Sequence, residues 1–109
     1  MMRVAEYQIK LTQKAKKDIE DISRYITFEL SEPGISKKFI QNLRKSIFKL
    51  QFFPYIFSFI QDDILKIKEI RCMPHKNYYV FYKIIEDLHT IMIIRIGYMR
   101  RNWKRILQK

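Results

Sequence analysis

The sequence predicts a single α+β domain over residues 1–109, in the order β-α-α-β-β-β, with a short C-terminal helix or tail. Two apolar stripes at helical spacing lie within residues 12–50, and three strand-like runs lie between residues 65 and 98. A chain of 109 residues is long enough to bury one core. We expect a small, mostly antiparallel sheet with a helical hairpin packed on one face.

The last two runs, Tyr78 to Ile85 and Thr90 to Tyr98, are dense in β-branched and aromatic residues at strand length. Only residues 86–89 separate them, which predicts an antiparallel hairpin. Strict alternation puts one side of the first of these runs in the core: Tyr78, Val80, Tyr82 and Ile84. The opposite side then carries Tyr79, Phe81, Lys83 and Arg95. In the last run Met92, Ile94 and Ile96 share one side, and Ile91, Ile93, Arg95 and Gly97 share the other.

The face with Tyr79, Phe81, Lys83 and Arg95 has two interpretations. Aromatic rings beside cations on an open sheet face favour a surface that binds a ligand. Alternatively, a loop or the C-terminus covers this face. Separately, Trp103, Ile106 and Leu107 recur at helical spacing, which predicts a short terminal helix or an ordered tail.

The pattern in the first half of the chain predicts elements that support the fold rather than a functional site. Residues 4–11 alternate as a half-buried strand, and Thr12 is placed to cap a helix that extends to about Leu30. The stripe of this helix is Ala15, Ile19, Ile22 and Ile26. The pairs Lys14/Asp18, Lys16/Glu20 and Lys17/Asp21 predict a solvated surface. After Pro33 and Gly34, a second helix with the stripe Phe39, Leu43, Ile47 and Leu50 is expected to end at Pro54.

Residues 50–60, LQFFPYIFSFI, form the most apolar stretch. We expect them to fold back over an open end of the core, the alternative being a loop that docks on a membrane surface or a partner. Residues 65–73 predict the second strand. A bulge near Glu69 would reconcile the two phases of its alternation and bring Lys66, Lys68 and Arg71 to one side.

The formal charge is +11, and the last 45 residues hold eleven of the 22 basic residues but only three of the eleven acidic ones. This field favours nucleic acid, an anionic membrane or an acidic protein as partner. The lone Cys72 excludes an internal disulfide, and the spacing of His and Cys predicts no metal site and no cofactor. No signal peptide or membrane span is apparent, so we expect a soluble cytoplasmic protein without membrane association.

The cations Lys66, Lys68, Arg71 and Arg95 are the candidates for chemistry. Crowded lysines and arginines can bind a phosphate group, stabilise a negatively charged transition state and act as base and acid if repulsion lowers the pKa of one lysine. Alternatively, these residues bind only phosphate or an acidic protein.

The element order resembles the RelE/ParE superfamily of toxins from bacterial type II toxin–antitoxin modules over nearly the whole chain. The resemblance rests on the LQFFP junction, the KIKEIR and NYYVFYKI runs and the IIRIGYMRRNWKRIL ending. It implies one of two activities: RelE-like members cleave messenger RNA in the ribosomal A site without metal, and ParE-like members poison DNA gyrase.

The resemblance also implies site residues. Lys66 and Lys68 resemble the catalytic lysines of RelE-like nucleases, with Arg95, Arg100 and Tyr98 as further catalytic candidates. Tyr79 departs from the arginine that those nucleases carry in a YRLVY-like strand. The nucleic-acid-binding candidates are Arg71, Tyr79, Phe81, Lys83, Arg101 and Trp103.

A ribosome-dependent mRNA endonuclease is therefore the first expectation, with the ribosome and messenger RNA as targets. A gyrase inhibitor is the alternative, and a basic nucleic-acid-binding module or an inactive toxin is the third. An antitoxin with an acidic, amphipathic C-terminal segment is the expected partner.

Overall fold

The computed structural model describes residues 6–108 of the chain, apart from the side chains of Pro33, Leu65 and Ile67. Within this part, helices and strands follow in the order β1 (Gln8–Leu11), α1 (Gln13–Leu30), α2 (Pro33–Lys49), α3 (Asp63–Ile67), β2 (Arg71–His75), β3 (Tyr78–Ile85), β4 (Thr90–Tyr98) and α4 (Trp103–Gln108). The predicted α+β order is confirmed, with α3 as an addition. Residues 4 and 5 of the predicted first strand lie outside the described residues.

The four strands form one mixed sheet in the order β1-β4-β3-β2. β3 pairs antiparallel with both β4 and β2, whereas β1 runs parallel to β4. A 3₁₀ turn at Glu86–Leu88 joins β3 to β4, and His89 closes it in the left-handed region at φ 49°. The predicted hairpin is therefore confirmed.

The two long helices form the predicted hairpin on one face of the sheet. The Thr12 hydroxyl caps α1 by accepting a hydrogen bond from the Ala15 N–H at 3.0 Å. Ala15, Ile22 and Ile26 of α1 are buried against Leu43 and other residues of α2 and the sheet. α2 ends at Lys49, before Pro54, because the chain turns at Leu50. The Leu50 N–H donates to the Ile47 carbonyl, and the Gln51 N–H donates to the Phe48 carbonyl.

The expected strand over residues 65–73 is wrong in its first half. Residues 63–67 form the short helix α3, and Glu69 turns the chain in the left-handed region at φ 58° before β2 begins at Arg71. The change of phase in the sequence therefore marks a helix-to-strand junction and not a bulge. Lys66 and Lys68 precede β2 and do not lie on a strand.

A register shift in the β3–β4 pair corrects the predicted faces of β4. Phe81 pairs with Arg95, but Tyr82 pairs with Ile93, so Ile94 has no direct partner. This extra residue reverses the alternation. Residues on both sides of the shift consequently reach the core beneath the helices: Ile91, Ile93 and Ile96.

The segment of residues 50–60, which we call the aromatic loop, follows the prediction only in part. Leu50 and Pro54 are buried, and Phe57 packs against the core. Four other large side chains of the loop are more than half exposed: Phe52, Phe53, Tyr55 and Ile56. The loop therefore covers the core with one side and presents the other to solvent.

Candidate functional site

The sheet face opposite the helical hairpin is covered by α4, so of the two interpretations of this face the one in which the C-terminus covers it is confirmed. Phe81 is 2% exposed and Trp103 is 7% exposed, and their ring centroids lie 4.8 Å apart. Tyr79 and Ile94 pack against the same cluster. Phe81 and Trp103 are therefore not free to stack on nucleic-acid bases in this conformation.

Polar contacts at both ends hold α4 in place. The Trp103 indole N–H donates to the Tyr98 carbonyl at 2.8 Å. At the other end, the Lys68 ammonium donates to the carbonyls of Leu107 and Gln108 at 3.3 and 3.4 Å. These are the last carbonyls of α4, where a cation also complements the helix dipole. Lys68 thus has a structural role that its sequence context did not indicate.

Arg95, a catalytic candidate, is engaged in a bidentate ion pair. Its Nε and Nη2 donate to the two carboxylate oxygens of Asp18 at 2.8 and 3.0 Å, and this hydrogen bonding raises the pKa of Arg95. Asp18 also accepts the Ile96 backbone N–H at 2.9 Å. The expectation that Asp18 only solvates the surface of α1 is wrong, because its side chain is 8% exposed.

The ion pair between Asp18 and Arg95 forms beside β4 because β1 is short. The β1–β4 register ends where Leu11 lies opposite Ile93, so β4 continues beyond its neighbour. Side chains of α1 and of its cap residue supply the missing partners: the Thr12 hydroxyl donates to the Ile94 carbonyl at 2.8 Å, and Asp18 accepts from the Ile96 N–H. Side chains take the place of a neighbouring strand here because buried backbone groups without hydrogen-bond partners cost much free energy.

A basic cleft of about 390 Å³ lies between α1, β4 and α4 and is lined by Lys14, Arg95, Arg101, Arg105 and Ile106. The Arg101 guanidinium lies over the Trp103 ring at 5.1 Å from its centroid. Of the predicted site residues, this cleft brings together Arg95 and Arg101, beside Trp103. Sequence reasoning missed Lys14 and Arg105, because only the packing of α1 and α4 against β4 brings them together.

The remaining site candidates lie apart from the lining of the cleft. Lys66 is exposed on α3, and Arg100 is exposed in the turn after β4. The Arg71 guanidinium donates to the Phe57 carbonyl at 2.7 Å and lies 4.1 Å from the centroid of the Phe59 ring. Lys83 lies opposite Met92, towards the other end of the β3–β4 pair from Tyr98.

The cleft is positively charged but has no evident proton acceptor. Among the described residues that line it, none is a histidine or a carboxylate. His75 instead hydrogen-bonds Ser46 at 3.0 Å, and burial lowers its pKa, while His89 stacks on Tyr7 with 3.8 Å between ring centroids. The arrangement is suited to binding phosphate or carboxylate groups rather than to proton transfer.

An apolar groove of about 490 Å³ adjoins the cleft and shares Arg101 with it. Tyrosines surround a floor of aliphatic residues, and α1 contributes carboxylates to the rim. The lining residues are Asp18, Asp21, Ile22, Tyr25, Tyr78, Ile96, Gly97, Tyr98 and Arg101. Tyr98, a catalytic candidate, is 43% exposed here. The groove and the cleft together form a surface with an apolar half and a basic half.

Within residues 6–108, no group of three or more His, Cys, Asp or Glu side chains could hold a metal ion. Over the same residues, no helix has the length and apolar character needed to cross a membrane.

The fold resembles solved toxins. A chain of the chromosomal ParDE toxin–antitoxin system from P. aeruginosa superposes with a TM-score of 0.70 at 18% identity, covering 87% of this chain and 98% of that one. The toxin–antitoxin complex RelBE2 from Mycobacterium tuberculosis gives 0.62 at 14% identity, covering 91% and 98%. The isolated E. coli RelE toxin gives 0.60 at 12% identity, covering 94% and 96%.

None of the curated proteins matches this sequence. The family model for the ParE toxin of type II toxin–antitoxin system parDE matches residues 9–103, which is most of the chain. This chain is therefore a toxin of the type II toxin–antitoxin systems and belongs to the ParE toxin family.

Proposed function

We propose that this toxin acts by inhibiting DNA gyrase, as ParE-like members of the superfamily do, and not by cleaving messenger RNA. One observation carries the proposal: the four cations predicted to form a catalytic group each lie in a different setting. Lys66 is on α3, Lys68 binds the end of α4, Arg71 binds the aromatic loop, and Arg95 binds Asp18.

Metal-free RNA cleavage needs its base, acid and cations around one phosphate. The strand lysines that would supply the base are missing, because β2 contributes Cys72 to the neighbourhood of Phe81, together with Ile70 just before the strand, and no lysine. Burial also raises the pKa of the Cys72 thiol to about 12, so this group is an unsuitable base near neutral pH. Binding to a protein target requires none of these groups.

Purified toxin is expected to inhibit DNA supercoiling by gyrase and to leave messenger RNA intact in a translating cell-free extract. Lys66→Met should change growth arrest by less than about twofold, whereas loss of a general base would reduce activity by about 10²-fold or more. Lys68→Met is a weaker test, because it also removes hydrogen bonds to α4. A defined cut in the messenger, lost in Lys66→Met, would contradict the proposal and restore the nuclease.

We also propose that the cognate antitoxin has an acidic, amphipathic segment that lies along α1, with apolar side chains in the groove and carboxylates in the basic cleft. A relative of this fold was solved as a toxin–antitoxin complex. The groove is lined by Tyr25, Tyr78 and Tyr98, and the cleft beside it by Arg101 and Arg105. Opposite charge would steer the association, and the apolar anchors would hold it.

Antitoxin affinity is expected to fall as salt rises from about 0.01 M to 1 M, because the Debye length shrinks from about 30 Å to about 3 Å. Replacing Arg101 and Arg105 by alanine should reduce this salt dependence, whereas Lys16→Ala on the exposed side of α1 serves as the control. Calorimetric titration at several salt concentrations measures the affinity and its salt dependence for each variant. An affinity that does not respond to salt would rule out the electrostatic part.

A further inference from the structure

We propose that the aromatic loop and the exposed side of α2 form the surface through which this toxin engages its target protein, at an acidic site with an apolar centre. This inference rests on the proposed function in taking the target to be a protein. It concerns a different part of the molecule from the groove and the basic cleft that we assign to the antitoxin.

The exposed side of the loop is rich in large apolar side chains. Phe52 and Phe53 are 54% and 63% exposed, Tyr55 is 54% exposed and Ile56 is 65% exposed. Phe48, in the last turn of α2, extends the patch and is 49% exposed. Exposed apolar residues that occur together, in contrast to scattered ones, mark protein interaction sites.

Hydrogen bonds from four side chains hold the loop in one shape. The buried Tyr82 hydroxyl donates to the Pro54 carbonyl at 2.8 Å, and Arg71 donates to the Phe57 carbonyl at 2.7 Å. Gln51 donates to the Tyr7 carbonyl at 3.1 Å, and the Tyr55 hydroxyl donates to Glu86 at 2.7 Å. A loop whose backbone is fixed in this way loses little entropy when it binds, so its apolar area contributes more fully to affinity.

The α2 side of the patch carries charge of a single sign. Residues 33–61 contain five cations and no acidic residue. The five cations are all exposed on α2: Lys37, Lys38, Arg44, Lys45 and Lys49. Apolar centres with a charged rim are typical of protein interfaces, and this rim is complementary to an acidic partner.

Other occupants fit this surface less well. A second copy of the chain would bring five cations against five more, which opposes self-association. An anionic bilayer would meet the exposed Glu86, whose hydrogen bonds from Tyr55 and Tyr7 lower its pKa and keep it ionised. Asp87 follows it in the same exposed turn. These carboxylates would repel a lipid surface that is negative throughout, whereas a protein can place its acidic groups opposite α2 and away from Glu86.

The test compares growth arrest and antitoxin affinity in matched variants. Phe53→Ser combined with Ile56→Ser should weaken growth arrest by about 10-fold or more, as removal of interface anchors does, and Lys49→Glu should weaken it severalfold. Ile64→Ser, at a side chain that is 53% exposed on α3, and Lys16→Glu are the controls and should act as wild type. Antitoxin affinity should be unchanged in all of them.

Growth arrest tests the surface whatever the target is, whereas the supercoiling assay tests gyrase, so the two proposals fail separately. Loop variants that are folded by circular dichroism and as toxic as wild type would overturn the inference. The inference would also be overturned if the loop variants lost antitoxin affinity in parallel with toxicity. The same holds if wild type forms a dimer that Phe53→Ser dissociates, or if wild type binds vesicles of anionic phospholipid and the loop variants do not.

Discussion

Asp18→Ala is expected to lower the free energy of unfolding by about 3–5 kcal/mol, the usual cost of removing one partner of a buried ion pair. The substitution leaves the Arg95 guanidinium, which is 18% exposed, without its carboxylate. It also leaves the buried Ile96 N–H without an acceptor, since Asp18 serves both groups. Urea denaturation followed by circular dichroism measures the loss.

The same helix provides the control. Asp21 lies one turn further along α1, and its side chain is 49% exposed, with salt bridges to Lys17 at 3.4 Å and Arg24 at 3.9 Å. Asp21→Ala should therefore cost less than about 1 kcal/mol. Asp18→Asn should fall between the two, because the amide oxygen can still accept from Ile96 but carries no charge. Equal small losses for Asp18→Ala and Asp21→Ala would contradict the structural role of the pair.

Local patterns were sufficient to predict most of the fold. The stripes of α1 and α2, the Thr12 cap and the β3–β4 hairpin each depend on residues close in sequence, and each is present. The junction before β2 was not predictable in this way, because a short apolar and basic run such as residues 65–70 fits a helical turn and a strand equally well. The side of the sheet on which Ile94 lies depends on the register shift between β3 and β4. Such a shift depends on how two strands pair, so the pattern of one strand does not predict it.

The predictions for the site depended more heavily on long-range packing. The prediction that Lys66 and Lys68 lie together depends on a strand over residues 65–73, but β2 begins only at Arg71. Asp18 has the same i,i+4 spacing to a lysine as the solvated pairs of α1, so no local signal distinguishes it. The Asp18 side chain is buried because β1 ends at Leu11, so that α1 lies along the rest of the edge of β4 and Asp18 bonds the Ile96 N–H.

Gly97→Ala is expected to loosen α4 from the sheet and to lower the free energy of unfolding by about 1–3 kcal/mol, the usual cost of overpacking. A Cβ at this position would lie 2.5 Å from Cζ2 and 2.6 Å from Cη2 of Trp103. The indole cannot yield easily, because it packs on Phe81 and its N–H donates to the Tyr98 carbonyl at 2.8 Å. We therefore expect α4 to move as a unit.

Fluorescence reports this movement directly, because Trp103 is the one tryptophan of the sequence and is 7% exposed. Gly97→Ala should shift its emission to the red, as water reaches the ring. Gly34→Ala is the matched control: an added Cβ meets nothing within 4 Å at the start of α2, so stability should rise by about 0.4–1 kcal/mol.

A second substitution separates a local clash from a general intolerance of alanine at position 97. Phenylalanine lacks the outer indole ring that the new Cβ would meet, so adding Trp103→Phe to Gly97→Ala should cost less than the sum of the two single changes. The double-mutant cycle should give a coupling of about 1 kcal/mol or more, as expected for residues in contact. Additive losses, or an unchanged emission spectrum in Gly97→Ala, would mean that Trp103 does not pack on Gly97 in solution.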